Sequence, residues 1–77
     1  MARYYFHIRE GSLIIPDNEG MELPDTQDAW LEARESAEDV ARSAIRSGFS
    51  AVPCAIEIAD HSGMILGAVT VPARRIA

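Results

Sequence analysis

The spacing of hydrophobic and polar positions changes twice along this chain, and the changes mark its elements. From Arg3 to Arg9 the sequence RYYFHIR alternates, with Tyr4, Phe6 and Ile8 on one side and Arg3, Tyr5, His7 and Arg9 on the other. A period of two is that of a strand. Glu10-Gly11 predicts a two-residue hairpin loop that sets Ile8 opposite Leu13 and Phe6 opposite Ile15, gathering these four and Tyr4 on one face. The second strand stops at PDNEG, residues 16–20, where proline fixes φ and glycine accepts a positive φ; a tight turn is expected. Met21 to Leu23 reads as a short extended link, because the residue before Pro24 is held out of the helical region.

The period then lengthens to 3.6. Asp25 is placed to cap a helix, with Asp28 three residues on to reach back, and Gly48 supplies the stop. Between them Ala29, Trp30, Ala33, Ala37, Val40, Ala41, Ala44 and Ile45 form one apolar stripe, mostly alanine, which lets the helix backbone lie close to a sheet. The other face carries Asp28, Glu32, Glu35, Asp39, Arg42 and Arg46, acids early and arginines late, as the helix dipole prefers. Glu38 and Arg42 have the i,i+4 spacing of an ion pair, and Leu31 falls off the stripe as an exposed leucine.

The alternation returns after FSAVP, in which Phe49 and Val52 are expected to seal the end of the core. A third strand starts near Cys54, with Cys54, Ile56 and Ile58 facing inward. Asp60-His61-Ser62-Gly63 reads as a type I turn with a glycine bulge, and Met64 to Val71 as a fourth strand ended by Pro72. The fold class is α+β, in the order β-β-α-β-β. It is a four-stranded antiparallel sheet with one helix packed on one face, in a single domain over residues 1–77 whose residues 73–77 fray. Short connections allow the strand orders 2-1-3-4 and 1-2-4-3; the first is favoured because it makes the aromatic first strand central.

The last strand is apolar on both sides, whereas a sheet with one helical layer needs only one side covered. If Asp60 pairs with Met64, Leu66 and Ala68 go under the helix and Ile65, Val69 and Val71 stay outside with Tyr5 and Ile14; a one-residue change of turn swaps the two sets and still leaves apolar surface. Tyr5, His7, Ile14, Ile65, Val69 and Val71 are therefore the candidate interface residues, for a homodimer or a protein partner.

Composition narrows the function. A chain of 77 residues, 48% hydrophobic and 25% charged, is a small folded domain, for which association is a common source of added stability. Its net charge of −5 disfavours nucleic acid and favours basic partners. One cysteine excludes an internal disulfide, and the opening residues lack the pattern of a signal peptide. The longest apolar run, MILGAVTV, is too short to span a bilayer, so a cytoplasmic address is expected.

Chemical motifs are sparse. His7, His61, Cys54, Glu57 and Asp60 have no zinc-site spacing, Cys54 reads as a core residue, and the acids around PDNEG lack the spacing of a calcium loop. No metal, cofactor or enzymatic activity is expected. Arg3, Tyr5, His7 and Arg9 do form a basic-aromatic stripe of the kind that sheet-based proteins use to stack single-stranded bases, which makes single-stranded nucleic-acid binding the alternative function.

Three segments, RYYFHIREG, IPDNEGMELPD and IEIADHSGMILGAVTVP, give the chain a resemblance over nearly its whole length to a family of short uncharacterised proteins frequent in rhizobia and related alphaproteobacteria. The shared features are Tyr5-Phe6-His7, Pro16 to Asp25 and Asp60 to Gly63. The resemblance implies no assigned activity, and it singles out His7 as the one shared position without an evident structural use. Residues 4–45 are also similar, at the level of fold, to HicB-type antitoxins, which implies an acidic module that covers a basic partner. The function expected is a non-enzymatic protein-interaction or regulatory module, self-associating through the outer sheet face or the edge of the last strand.

Overall fold

The computed structural model describes residues 1–46 and 54–71, with residues 43–46 given as backbone. The elements are β1 Ala2–Glu10, β2 Leu13–Ile15, β3 Met21–Leu23, α1 Thr26–Arg46, β4 Cys54–Ala59 and β5 Ile65–Thr70. All pairings are antiparallel and run β2-β1-β4-β5, the favoured order, with β1 central. A fifth strand, β3, pairs with the start of β1 through Ala2↔Leu23 and Tyr4↔Met21. Three residues are too few to show a period, so the sequence alone reads Met21 to Leu23 as a link.

The first hairpin corrects the expected register. Its loop is Gly11-Ser12, with Glu10 opposite Leu13 and Ile8 opposite Ile15, two residues from the pairing predicted for a Glu10-Gly11 loop. Gly11 has φ +59°, which suits the first loop position of a type II′ turn, where glycine belongs. Because the shift is even, every side chain keeps the face that the alternation assigned.

The last hairpin forms its turn as expected and then departs from the predicted faces. Gly63 N–H donates to Asp60 O at 3.0 Å, Asp60 N–H donates to Met64 O at 3.0 Å, and Gly63 has φ +88°. Pairing then slips: Ala59 faces Ile65 but Ile58 faces Gly67, leaving Leu66 as the extra residue of a bulge. One inserted residue reverses every later face. Val69 and Val71, predicted outside, therefore turn toward the helix, and Val71 is only 4% exposed. Ala68, predicted under the helix, pairs with Glu57 on the outer face.

Helix α1 begins as its sequence dictates, Asp25 Oδ1 accepting the Asp28 N–H at 2.9 Å. Ala29, Ala33, Ala37 and Ala41 are buried against Tyr4, Cys54, Ile56, Ile58 and Val71, with Phe6, Ile8, Val40 and Val69 partly buried around them. Trp30 is 38% exposed, because its ring lies over a glycine and not in the middle of the core. A Cβ added to Gly67 would lie 2.5 Å from Trp30 Cη2 and 2.6 Å from Cζ2. Arg42 pairs with Asp39 at 2.8 Å and not with Glu38. The expected roles of Ala44, Ile45, Gly48, Phe49, Val52 and the tail lie outside the described residues or side chains.

Candidate functional site

The outer sheet face is built from the residues that alternate with the core. Reading across the strands, one row is Ile14, Arg9, Ala55 and Thr70; the next is His7, Glu57 and Ala68; the third is Tyr5, Ala59 and Ile65. Ile14 and Ile65 are exposed but stand three strand spacings and two rows apart, roughly 20 Å. Arg9 and Glu57 lie between them and pair with each other at 2.8 Å. Tyr5, His7, Ile14 and Ile65 thus share a face without forming one apolar patch, and Val69 and Val71 are on the other side.

The basic-aromatic stripe is engaged within the chain. Arg3 donates to Glu19 O at 2.7 Å and lies 3.4 Å from Glu22 Oε1, and Arg9 is held by Glu57. Tyr5 and His7 stack with ring centroids 6.4 Å apart, and both serve the PDNEG loop. Opposite Tyr5, Phe6 and His7 the edge strand has five residues, 16–20, because Ile8 pairs with Ile15 and Tyr4 with Met21. The two surplus residues are looped out, and β2 and β3 are the flanks of one interrupted strand.

Asp17 closes the gap that the loop leaves. Its Oδ2 accepts the Phe6 N–H at 3.1 Å, in place of the carbonyl a continuous strand would offer, and its Oδ1 accepts Glu19 N–H and Gly20 N–H, each at 3.1 Å. Burial pushes the Asp17 carboxyl up, but the donors from Gly20, Phe6 and Glu19 outweigh it and hold the group below its ordinary range. His7 Nδ1 in turn accepts the Asp17 N–H at 3.0 Å, which leaves its proton on Nε2. His7 therefore does have a structural use. Gly20 completes the loop with φ +71°, and a Cβ there would sit 2.9 Å from Tyr4 O and 2.9 Å from Tyr5 Cε1. The sequence signal for Asp17 was its place in Pro-Asp-x-x-Gly, where a carboxylate can bond the backbone two and three residues on.

The two edges of the sheet differ. The β2/β3 edge is cut by Pro16, the looped-out residues and Glu22, the devices that keep an edge from pairing. Strand β5, ILGAVT, has no charge and no proline. Val71 N–H donates to Cys54 O at 2.8 Å, so the odd-numbered residues Gly67, Val69 and Val71 turn their backbone groups to β4 and the even-numbered Ala68 and Thr70 turn theirs outward. Among the described residues no strand pairs with that side. Beside it Arg34, Ala37 and Glu38 of α1 and Val69 and Thr70 of β5 line an open hollow of about 150 Å³.

Chemistry elsewhere is limited. Among the described residues no three His, Cys, Asp or Glu side chains come together as metal ligands, and no helix is long and apolar enough to cross a membrane. Cys54 is buried, and burial and then Glu10 push its thiol up, away from the reactive thiolate. His61 lies exposed in the last turn. No curated protein and no solved structure matches the chain. A family model does match, over residues 3–72, a span that includes the PDNEG loop, the helix and the last hairpin. The chain belongs to the family described as a domain of unknown function, DUF6894.

Proposed function

We propose that this protein is a non-enzymatic interaction module that associates by adding a strand to the outer edge of β5. The observation that carries this reading is the asymmetry of the edges: one is blunted by proline, a looped-out segment and charge, while the other offers the N–H and C=O groups of Ala68 and Thr70 beside a helix-lined hollow. Strand addition takes affinity from main-chain hydrogen bonds and selectivity from side chains seated in such a hollow. The outer face is the weaker surface, because its apolar residues are dispersed and its arginines are paired. Those pairings also leave little for the alternative of nucleic-acid binding, since Arg3, Tyr5, His7 and Arg9 all have intramolecular contacts. A cytoplasmic address, an alphaproteobacterial family and the likeness of residues 4–45 to HicB-type antitoxins belong to the same reading; all fit a regulatory module that acts by covering a partner.

Amide hydrogen exchange tests it. The outward amides of Ala68 and Thr70 should gain protection as the concentration of the chain rises, or on adding extract of its native cells, while the Leu31 and Glu32 amides in α1 stay protected throughout. Free exchange of both outward amides under all of these conditions would refute the edge as the site of association.

A further inference from the structure

We infer that the strand added to β5 is the β5 of a second copy, related by a two-fold axis beside Val69. The inference rests on the edge reading above and adds its occupant and register. Only Ala68 and Thr70 present outward backbone groups in the regular part of the strand, since Leu66 is the bulged residue. An axis at Val69 sets Ala68 opposite the partner's Thr70 and Thr70 opposite the partner's Ala68. Each of these pairs exchanges two hydrogen bonds, so all four outward groups on each copy are satisfied. Val69 then faces the partner's Val69 in the closer, non-hydrogen-bonded position, on the helix side, where the hollow under Ala37 receives it.

Local charge pattern, against the net repulsion between two chains of −5, favours a second copy over a dissimilar strand. Each chain carries −5, and a self-pairing site has to avoid setting like charges together; β5 has none. Helix α1 runs alongside β5, Trp30 over Gly67 and Ala37 beside Val69 and Thr70. The axis at Val69 therefore lays the two helices antiparallel about Ser36, and Arg34 of each copy meets the partner's Glu38. Among the described residues neither Arg34 nor Glu38 forms an ion pair within the chain. A pair of opposite charges one turn apart on a helix is self-complementary under such an axis, whereas two like charges would not be.

The test is a complementation experiment by sedimentation equilibrium with purified chains of these 77 residues. Arg34→Glu alone sets carboxylate against carboxylate at both symmetric contacts, and Glu38→Arg alone sets guanidinium against guanidinium; each homodimer should be weakened about tenfold. An equimolar mixture of the two variants should dimerise as tightly as the wild-type chain, although both carry net negative charge, and the double variant R34E/E38R should recover as well. Circular dichroism confirms that each folds. Dimers that ignore these reversals but are lost with Thr70→Pro would overturn the two-fold arrangement and leave the edge reading intact. A chain that stays monomeric at about 1 mM would overturn the second copy as occupant. Protection of the Ala68 and Thr70 amides by cell extract would then separate a different partner from a wrong edge.

Discussion

Replacing Asp17 should cost this domain a large part of its stability, and the size of the loss follows from what the carboxylate holds. Three backbone donors point at it, from Phe6, Glu19 and Gly20. In Asp17→Ala the exposed Glu19 amide can turn to water at a cost of a few tenths of a kcal/mol, while the partly buried Gly20 amide loses somewhat more. The Phe6 amide is partly buried within the edge of β1 and is left without an acceptor, a loss of about 1–3 kcal/mol. A total near 2 kcal/mol is a large fraction of the roughly 4–12 kcal/mol available to a chain of this length. The urea midpoint should fall by roughly 1–2 M at neutral pH, and the Phe6 amide should lose protection more than any amide of β4.

Asp17→Asn separates charge from shape. One amide oxygen can still serve Glu19 and Gly20, but the NH2 group then confronts the Phe6 N–H, so most of the loss remains. The pH dependence follows from the lowered Asp17 carboxyl: between its folded and unfolded titrations the unfolded chain binds more protons, so stability falls as pH falls. The gap between wild type and Asp17→Asn should be full above about pH 4 and shrink below it. Asp60, held low first by the Ser62 hydroxyl, titrates in both proteins and cancels from the difference. An Asp17→Ala midpoint within about 0.3 kcal/mol of wild type, with the Phe6 amide still protected, would refute this reasoning.

Other substitutions probe the remaining joints. Gly67→Ala places a methyl where the Trp30 ring lies; the ring must swing away, with a red shift of tryptophan fluorescence and a loss of about 1–2 kcal/mol in thermal or urea unfolding. Gly20→Ala combines a positive φ with a clash against Tyr4 O and should cost at least ~2 kcal/mol, read in the same way. Asp25→Ala removes the helix cap and should cost about 1 kcal/mol, with faster exchange confined to the first turn of α1. Cys54 should resist alkylation at pH 8 in the folded chain and react at the rate of a free thiol in urea, as its buried position and raised titration require.

Much of the fold was legible because period and punctuation agree. Alternation in RYYFHIR and CAIEIA, the Asp25 cap and the alanine stripe each point to one arrangement; short connections leave two strand orders, and the aromatic first strand favours the one in which it is central. What escaped were features set by single residues opposite one another across strands. The bulge at Leu66 leaves no trace in the local pattern, yet it decides that Val69 and Val71 are inside. Nothing in the local pattern marks Gly67, whose missing side chain leaves the space that the Trp30 ring occupies. The surplus of two residues opposite Tyr5, Phe6 and His7 appears only once both flanking pairings are fixed, and with it the uses of Asp17 and His7. At the candidate site the sequence shows a last strand apolar on both sides but puts Val69 and Val71 on the wrong one. Which groups are free there depends on hydrogen-bond direction, which no residue type encodes.

The most direct measurement is sedimentation equilibrium of the purified chain beside its Thr70→Pro variant, with concentration raised to about 1 mM. The Thr70 N–H points away from β4, so a proline there removes no bond of the folded chain while blocking the edge. Association at β5 predicts that the wild-type mass rises from 8.4 kDa toward twice that value while the variant stays at 8.4 kDa. Wild type and variant dimerising with equal affinity would contradict it and move the search for an interface away from the last strand.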